Sequence, residues 1–283
     1  MKIGDFEVGA KPFTIAEVGL NHNGSEMAAI EMIAQAKQAG VDCVKFQTFK
    51  SDEFCRPDDP LYQHFKRSEF DASVWPRLKQ ACDSMGIMFM STPQNPSDLD
   101  LLLPLGIQAI KIGSDDCCNV PLVLAYAKHR LPLIISTGMA WPKDLCVTVT
   151  ELARLRAPTA YLVCTSQYPT PAEEVRISRV PTLQDFVDPA PVGFSDHTVG
   201  SHAAVMAVAL GAVIFEKHFT LDHTLEGPDH KWACNRHQLA EWVWSIHLAW
   251  DIKGQDSLML TEAEEAQRAK YQRRPGQQLR GAS

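Results

Sequence analysis

Short β-branched or apolar runs alternate along the chain with amphipathic stretches. Residues 14–19 read as a strand, and in the following residues 26–39 Ala29, Ile30, Ile33, Ala34 and Ala36 recur at helical spacing. The same pattern predicts strands over 43–47, 87–91, 108–112, 133–136, 160–164, 192–195 and 213–217. Helices are expected over 74–85, 121–129, 143–156, 201–210 and 236–252. Strands that alternate with helices must pair in parallel. Eight such units in ~250 residues fit a closed (β/α)8 TIM barrel of the α/β class better than an open doubly wound sheet. No Gly-x-Gly-x-x-Gly opens a helix after a strand, which weakens a dinucleotide-binding reading. Two connections, 48–73 and 219–235, are long for such units and both follow a strand, so both are expected over the barrel mouth. The expected division is a barrel over 1–253 and a polar, poorly packed tail or truncated linker over 254–283.

Composition narrows the class. The 283 residues are 45% hydrophobic and 22% charged, ordinary for a globular chain with a sizeable core. The balance of 27 Lys plus Arg against 34 Asp plus Glu leaves a net charge of -7, with no basic stripe, so a nucleic-acid partner is not expected. The longest near-continuous apolar run, 203–215, is too short to span a bilayer and is broken by Gly211, so no membrane partner is expected either. The first residues lack a signal peptide's layout, which points to the cytoplasm and to reduced thiols for the eight cysteines. Their spacing suits neither a zinc site nor a disulfide framework.

The chemistry lies in where polar residues fall. In a barrel the C-terminal strand ends form the active-site face. This chain puts Glu17 in the first strand, Lys45 and Gln47 in the second, and Ser91 and Thr92 at the third. Lys111 and Ser114 stand at the fourth, Ser136 and Thr137 at the fifth, Ser195 and His197 at the seventh, and Glu216 and His218 at the eighth. Buried charges without partners cost several kcal/mol each, so converging Glu17, Lys45, Lys111 and Glu216 need one another or a charged ligand. Strand alternation sets Lys45 with Gln47, Ser195 with His197 and Glu216 with His218 on shared faces. Two lysines with several hydroxyls suit a phosphate and a carboxylate; two imidazoles from neighbouring strands suit a divalent metal with open positions. The residues alone read as a metal-assisted enzyme acting on a phosphorylated, carboxylated small molecule.

At these positions the chain resembles the N-acetylneuraminate (sialic acid) synthase family. The resemblance rests on Ile15-Ala16-Glu17-Val18-Gly19-Leu20-Asn21-His22-Asn23-Gly24, Val44-Lys45-Phe46-Gln47-Thr48, Lys111-Ile112-Gly113-Ser114 and Ile135-Ser136-Thr137-Gly138-Met139. It continues through Tyr168-Pro169-Thr170-Pro171, Gly193-Phe194-Ser195-Asp196-His197-Thr198, Glu216-Lys217-His218-Phe219-Thr220 and Gly227-Pro228-Asp229-His230. It implies condensation of phosphoenolpyruvate with an open-chain amino-sugar aldehyde, N-acetylmannosamine or a related hexose. The products would be a nonulosonic 3-deoxy-2-keto acid and phosphate. Carried over by motif, Lys45, Thr92, Lys111, Ser114, Ser136 and Ser195 would hold phosphoenolpyruvate. His197 and His218 would bind a divalent metal, Mn2+ first and Mg2+ or Co2+ as alternatives. Glu17 or Glu216 would steady the cationic C2 and activate water, and Gln47, Tyr168 and Asp229 would touch the sugar. A homodimer is implied as well.

Other readings stay open beside it. Tyr168 and Asp229 could serve only as loop and turn residues, and Asn21-His22-Asn23-Gly24 reads mainly as a turn and helix N-cap. The heptad spacing of His223, His230 and His237 carries little weight, because a loop and a helix break its register. Family members usually carry a C-terminal antifreeze-like module beyond a linker that would begin near Ser283, and they more often have Asn where this chain has Ser166. Both departures touch sugar recognition. The alternatives are a catalytically weak barrel that binds phosphoenolpyruvate or sugar as a pathway partner, and a Schiff-base aldolase using Lys111 or Lys45, which would leave the two histidines unexplained.

Overall fold

The computed structural model describes residues 1–254 and 257–273. A short hairpin, β1 (Lys2–Ile3) and β2 (Phe6–Glu7), precedes eight strands: β3 (Phe13–Gly19), β4 (Cys43–Thr48), β5 (Met88–Pro93), β6 (Ile110–Ile112), β7 (Leu133–Ser136), β8 (Thr159–Cys164), β9 (Val192–Asp196) and β10 (Ile214–His218). They pair in the order β5-β4-β3-β10-β9-β8-β7-β6, every rung parallel. β5 and β6, at the two ends of that order, lie against each other and bring the sheet to a nearly closed (β/α)8 barrel. Around it run α1 (Glu26–Ala39), α2 (Ser51–Phe54), α3 (Tyr62–Ser68), α4 (Val74–Met85), α5 (Pro96–Leu102), α6 (Val120–Ala127), α7 (Pro142–Leu155), α8 (Arg179–Val187), α9 (His202–Ala209) and α10 (Arg236–Lys253).

Strand alternation divides the core in two. Val44, Phe46, Ile110, Ile112, Ile135, Val163 and Phe215 face outward and pack under the helices with Met32, Ile33, Leu78, Val123, Leu152 and Trp242. Inside the barrel, Phe13, Ile15, Cys43, Met90, Ala109, Ile134, Ala160, Leu162 and Ile214 form a separate apolar plug, sealed from below by Ile3 of the hairpin. The interior is so tight at Gly193 that a Cβ there would lie 2.3 Å from the Ile214 carbonyl oxygen and 2.6 Å from Leu162 Cδ2. Above the plug the inward positions turn polar. The fold thus supplies a dry floor for charged groups at its upper end.

The connection 48–73, expected as a loop, contains α2 and α3, pinned by Phe49, Phe54 and Phe65. α5 and α8 are two further helices beyond those the periodicity picked out; each is short and carries a proline, which blurs a 3.6-residue pattern. All eight cysteines are free thiols. No helix among the described residues is long and apolar enough to cross a membrane. The chain divides into a unit over Met1–Ile252 and a second over Lys253–Ser283. The second, expected as a polar, poorly packed tail or truncated linker, contains α11 (Glu262–Tyr271). Its start is set by a capping box in which Thr261 Oγ1 accepts from Glu264 N and Glu264 accepts in return from Thr261 N. The Arg274–Gln278 part of the expected tail lies outside the described residues.

Candidate active site

Parallel register brings the inward carboxylates and lysines to one level. Glu17 on β3 sits opposite both Lys45 on β4 and His218 on β10. Lys45 Nζ lies 2.8 Å from Glu17 Oε2 and 3.6 Å from Glu216 Oε1, and Lys111 Nζ lies 3.8 Å from Glu216 Oε2. All four are buried. The lysines also donate to hydroxyls, Lys45 to Thr92 Oγ1 at 3.2 Å and Lys111 to Ser136 Oγ at 2.8 Å. Gln47 Nε2 donates to Glu17 Oε1 at 3.1 Å. Ser114 Oγ accepts from the Gly138 amide at 3.0 Å.

The charges in this cluster are set by competition between burial and partners. Burial works against the charge on Lys45, but the carboxylates of Glu17 and Glu216 outweigh it and raise its pKa above the ordinary lysine value. Burial also opposes ionisation of Glu216, and Lys111 and Lys45 overcome it, so its carboxyl is held below the usual range. At Lys111 burial wins, and its pKa falls below that of a free lysine despite Glu216. The cluster is not saturated. Glu216 Oε2 is buried without a hydrogen-bond donor, whereas Glu17 Oε2 is met by the Lys45 ammonium at 2.8 Å.

The two histidines stand side by side above it, ring centroids 5.4 Å apart. His197 Nδ1 is 2.8 Å from the Thr165 carbonyl. A carbonyl can only accept, so Nδ1 carries the proton, and Nε2 turns its lone pair toward Ser195 Oγ, 3.4 Å away. Burial disfavours a charged His197, but the neighbouring Cys164 thiol and the Thr165 carbonyl prevail and raise its pKa. His218 Nδ1 faces Asp229 Oδ2 at 3.3 Å. That Nδ1 is buried and makes no hydrogen bond. Burial raises the Asp229 carboxyl, and His218 more than reverses this, leaving it below the ordinary aspartate value. Tyr168 packs against His197 with the rings tilted at 39° and their centroids 4.3 Å apart.

These side chains line one cavity of about 340 Å³ at the barrel mouth. Of the residues expected there, Glu17, Lys45, Gln47, Thr92, Lys111, Ser114, Ser136, Tyr168, Ser195, His197, Glu216 and His218 all line it; Asp229 joins through His218. Ser166, noted as a departure from the resembled family, is also in the wall, its Oγ buried without a partner. The lining further includes Phe54, Phe65, Gln94, Asp115, Met139 and Cys164, which strand-end reasoning did not single out. Trp232 was missed too: it packs on His218 at 4.7 Å and on Tyr168 at 5.4 Å between ring centroids. The only advance signal for it was the length of its loop.

Asn21-His22-Asn23-Gly24 does more than turn the chain. Asn21 Nδ2 donates to the Phe219 carbonyl at 2.8 Å and Asn23 Nδ2 to the Glu226 carbonyl at 3.0 Å, which ties down the 219–235 loop. Gly24, at φ +73°, passes so close to the 48–73 segment that a Cβ would lie 2.0 Å from the Arg67 carbonyl oxygen. His22 stacks on Phe70 at 4.1 Å, and its pKa is lowered to about 3 by burial, with a further contribution from His64. The heptad histidines do not meet at one point. His230 Nδ1 pairs with Thr220 Oγ1 at 2.7 Å, His223 Nε2 with the Ala233 carbonyl at 3.0 Å, and His237 with Arg236.

Fold and site together define a (β/α)8 barrel with a charged, small-molecule-sized cavity at the C-terminal ends of its strands. The chain belongs to the NeuB family, whose sequence model matches residues 32–257. It is 37% identical over 261 residues to the N,N'-diacetyllegionaminic acid synthase of Legionella pneumophila, covering 86% of this chain and 73% of that one. It is 32% identical over 268 residues to the human N-acetylneuraminate-9-phosphate synthase, covering 90% and 74%. Among solved structures it is similar to the N-acetylneuraminic acid (sialic acid) synthetase of Leptospira borgpetersenii in complex with citrate, with a TM-score of 0.91 at 31% identity, covering 97% of this chain and 98% of that one. A truncated 3-deoxy-D-arabino-heptulosonate 7-phosphate synthase of Thermotoga maritima, 16% identical with a TM-score of 0.69, shares the fold.

Proposed function

We propose that the chain condenses phosphoenolpyruvate with an amino-sugar aldehyde, N-acetylmannosamine or a related hexose, to give a nonulosonic 3-deoxy-2-keto acid and phosphate. The observation that carries this reading is the buried set Glu17, Lys45, Lys111 and Glu216, with Glu216 Oε2 lacking a donor, beneath the paired rings of His197 and His218. Lys45 and Lys111, with Thr92, Ser114, Ser136 and Ser195, hold the phosphate and carboxylate of phosphoenolpyruvate. Gln47, Tyr168 and Asp229 orient the aldose so that its aldehyde carbon lies over C3 of the enol. As that bond forms, C2 becomes cationic, and the carboxylate of Glu17 or Glu216 steadies it. The same carboxylate takes a proton from the water that adds to C2 and passes it to the alkoxide left by the aldehyde; the C2–O bond to phosphate then breaks as the C2 hydroxyl gives its proton to the departing phosphate, leaving the keto group.

No group of three or more His, Cys, Asp or Glu side chains stands ready for a metal among the described residues; the proposed ion is a divalent cation, Mn2+ by the family resemblance, held by two imidazoles with its other positions left to water and substrate. His197 has its proton fixed on Nδ1 by the Thr165 carbonyl, and His218 Nδ1 is buried beside Asp229, the outer-shell partner that a metal-bound imidazole takes. His197 and His218 would hold the ion through Nε2. When bound it would act as a Lewis acid on the aldehyde oxygen. A cytoplasmic homodimer is part of the same proposal.

The test is phosphate release from phosphoenolpyruvate with Mn2+ and a panel of 2-acetamido and neutral aldoses. Release that needs both aldose and metal, and is lost in His218→Ala and in chelator, supports the reading. Tight phosphoenolpyruvate binding with no release across the panel would move the chain to the binding-protein alternative. Borohydride trapping of pyruvate with activity in chelator would favour the Schiff-base aldolase.

A further inference from the structure

The connection from β6 to α6, residues 113–119, reaches the cavity through Ser114 and Asp115 and then carries two adjacent thiols that do not line it. Cys117 is buried, Cys118 is half-buried, and their sulfurs are 3.7 Å apart. Cys117 Sγ also donates to the Ser114 carbonyl at 3.2 Å, which ties the inner thiol to a residue of the cavity wall. Burial, and then Cys118 beside it, pushes the Cys117 thiol up to about 12 and keeps that donor protonated. Ser114 in turn accepts from the Gly138 amide at 3.0 Å. The other reachable thiols, Cys55 and Cys146, meet the Arg56 carbonyl and the Thr150 hydroxyl rather than a second sulfur.

The two ends of this connection are held unequally. On the α6 side, Thr148 Oγ1 of α7 donates to the Cys117 carbonyl at 2.9 Å, and the Cys118 carbonyl accepts from Val120 N at 3.0 Å. On the β6 side, the turn is spanned by the Cys117 thiol and by one long amide contact, Asp116 N to the Gly113 carbonyl at 3.3 Å. A trans peptide fixes adjacent Cα atoms ~3.8 Å apart, inside the ~4.4–6.8 Å that disulfides ordinarily bridge. A bond between the two sulfurs therefore strains the backbone and removes the proton that Cys117 gives to Ser114. The strain falls on the less tied side, where Ser114 and Asp115 stand. A strained disulfide is also easily reduced, so its closure is reversible.

We infer that Cys117 and Cys118 are a redox modification site: hydrogen peroxide closes them to a disulfide, and closure draws Ser114 out of place in the cavity wall and weakens phosphoenolpyruvate binding. The consequence for phosphoenolpyruvate rests on the condensation reading; the closure itself does not. Cys118, the more exposed of the two, attacks one peroxide oxygen. The O–O bond breaks, the thiol proton leaves with the displaced oxygen as water, and a sulfenic acid remains. Cys117 Sγ then attacks that sulfur, the S–S bond forms, and the Cys117 proton leaves with the sulfenic hydroxyl as a second water. The two thiols lose two electrons and two protons, and the peroxide becomes two waters. A small dithiol returns both by exchange and becomes a disulfide itself.

The experiment treats the reduced full chain with hydrogen peroxide and reads the mass of the peptide holding both cysteines, the amide exchange of Gly138 and calorimetric binding of phosphoenolpyruvate. Closure is expected to remove two hydrogens from that peptide, to speed exchange at Gly138 and to weaken phosphoenolpyruvate ~10-fold, all three reversed by a dithiol. Cys118→Ser is expected to bind phosphoenolpyruvate like the parent before treatment and to keep that affinity after it, with no loss of two hydrogens. Oxygens added to Cys118 without closure overturn the inference. So does closure that leaves Gly138 exchange and affinity unchanged, or a Cys118→Ser chain that loses affinity as the parent does. If the reduced parent binds no phosphoenolpyruvate, the condensation reading falls, and the peptide mass and Gly138 exchange still decide the redox site.

Discussion

Two buried charge clusters grow from the same strands and point opposite ways. Inward from β9 and β10 stand Ser195, His197, Glu216 and His218; outward, one residue out of phase, stand Asp196 and Lys217. The outward pair is complete. Asp196 Oδ2 receives Lys217 Nζ at 2.8 Å and Trp242 Nε1 at 3.0 Å, while its Oδ1 receives the amide and hydroxyl of Thr198 at 2.9 and 2.7 Å. Lys217 also donates to the Thr198 carbonyl at 2.7 Å. The inward set is equally buried, yet Glu216 Oε2 goes without a donor, its nearest cation, Lys111 Nζ, standing 3.8 Å away. Burial of charge therefore does not mark a site by itself. On the proposed reading, what separates ligand machinery from scaffold is unmet hydrogen-bonding capacity at a position that opens onto a cavity.

The sharpest way to break this comparison is to open the outward cluster. Asp196→Ala leaves Lys217 buried and unpaired and is expected to lower stability by about 3–5 kcal/mol in denaturant unfolding. Replacing both members with apolar groups, Asp196→Leu with Lys217→Met, should restore most of that loss; a double variant no better than the single would mean that the pair does more than neutralise itself. Inside the barrel the balance should invert. Glu216→Gln keeps the shape and is expected to reduce aldose-dependent phosphate release by about 10²–10³-fold while the unfolding midpoint moves little. Equal losses of rate and stability would erase the distinction between the two clusters.

A third buried polar group lies between these extremes. His22 is neutral in the folded chain because burial lowers its pKa to about 3, against 6.5 when unfolded. Its contribution is fully present above pH 6.5 and is lost as pH falls from there toward 3, amounting to roughly 2 kcal/mol by pH 5. His22→Gln should flatten that part of the stability–pH curve, and a variant curve parallel to the parent's would contradict it. The smallest expected effect is at Trp242→Phe, which removes one donor from Asp196 and leaves its other three. It should cost about 1.5 kcal/mol in unfolding and leave turnover near the parent value.

Much of this was legible in advance because a barrel interior has a period of two. Once Lys45 and Gln47, or Glu216 and His218, share a strand face, their convergence follows from register; the roles proposed for them come from the family strings. The same arithmetic hid the outward pair: Asp196 and Lys217 were read only as parts of those strings, and their meeting with Trp242 of α10 joins residues 46 positions apart in sequence. Phe54, Phe65 and Trp232 were unreadable for another reason. They sit on mouth connections whose course is fixed by long-range ties, Asn21 to Phe219 and Gly24 against Arg67, that no local periodicity encodes. α11 was readable after all, since Thr261 and Glu264 have capping-box spacing.

The most direct test is calorimetric binding of phosphoenolpyruvate to the parent chain, to Lys111→Met and to the Asp196→Leu, Lys217→Met double variant. The inward change is predicted to weaken binding by at least ~10-fold, as loss of a charged hydrogen-bond partner does, while the outward double variant binds like the parent. Unchanged binding by Lys111→Met, or a loss confined to the outward variant, would contradict the assignment of the inward cluster to the ligand.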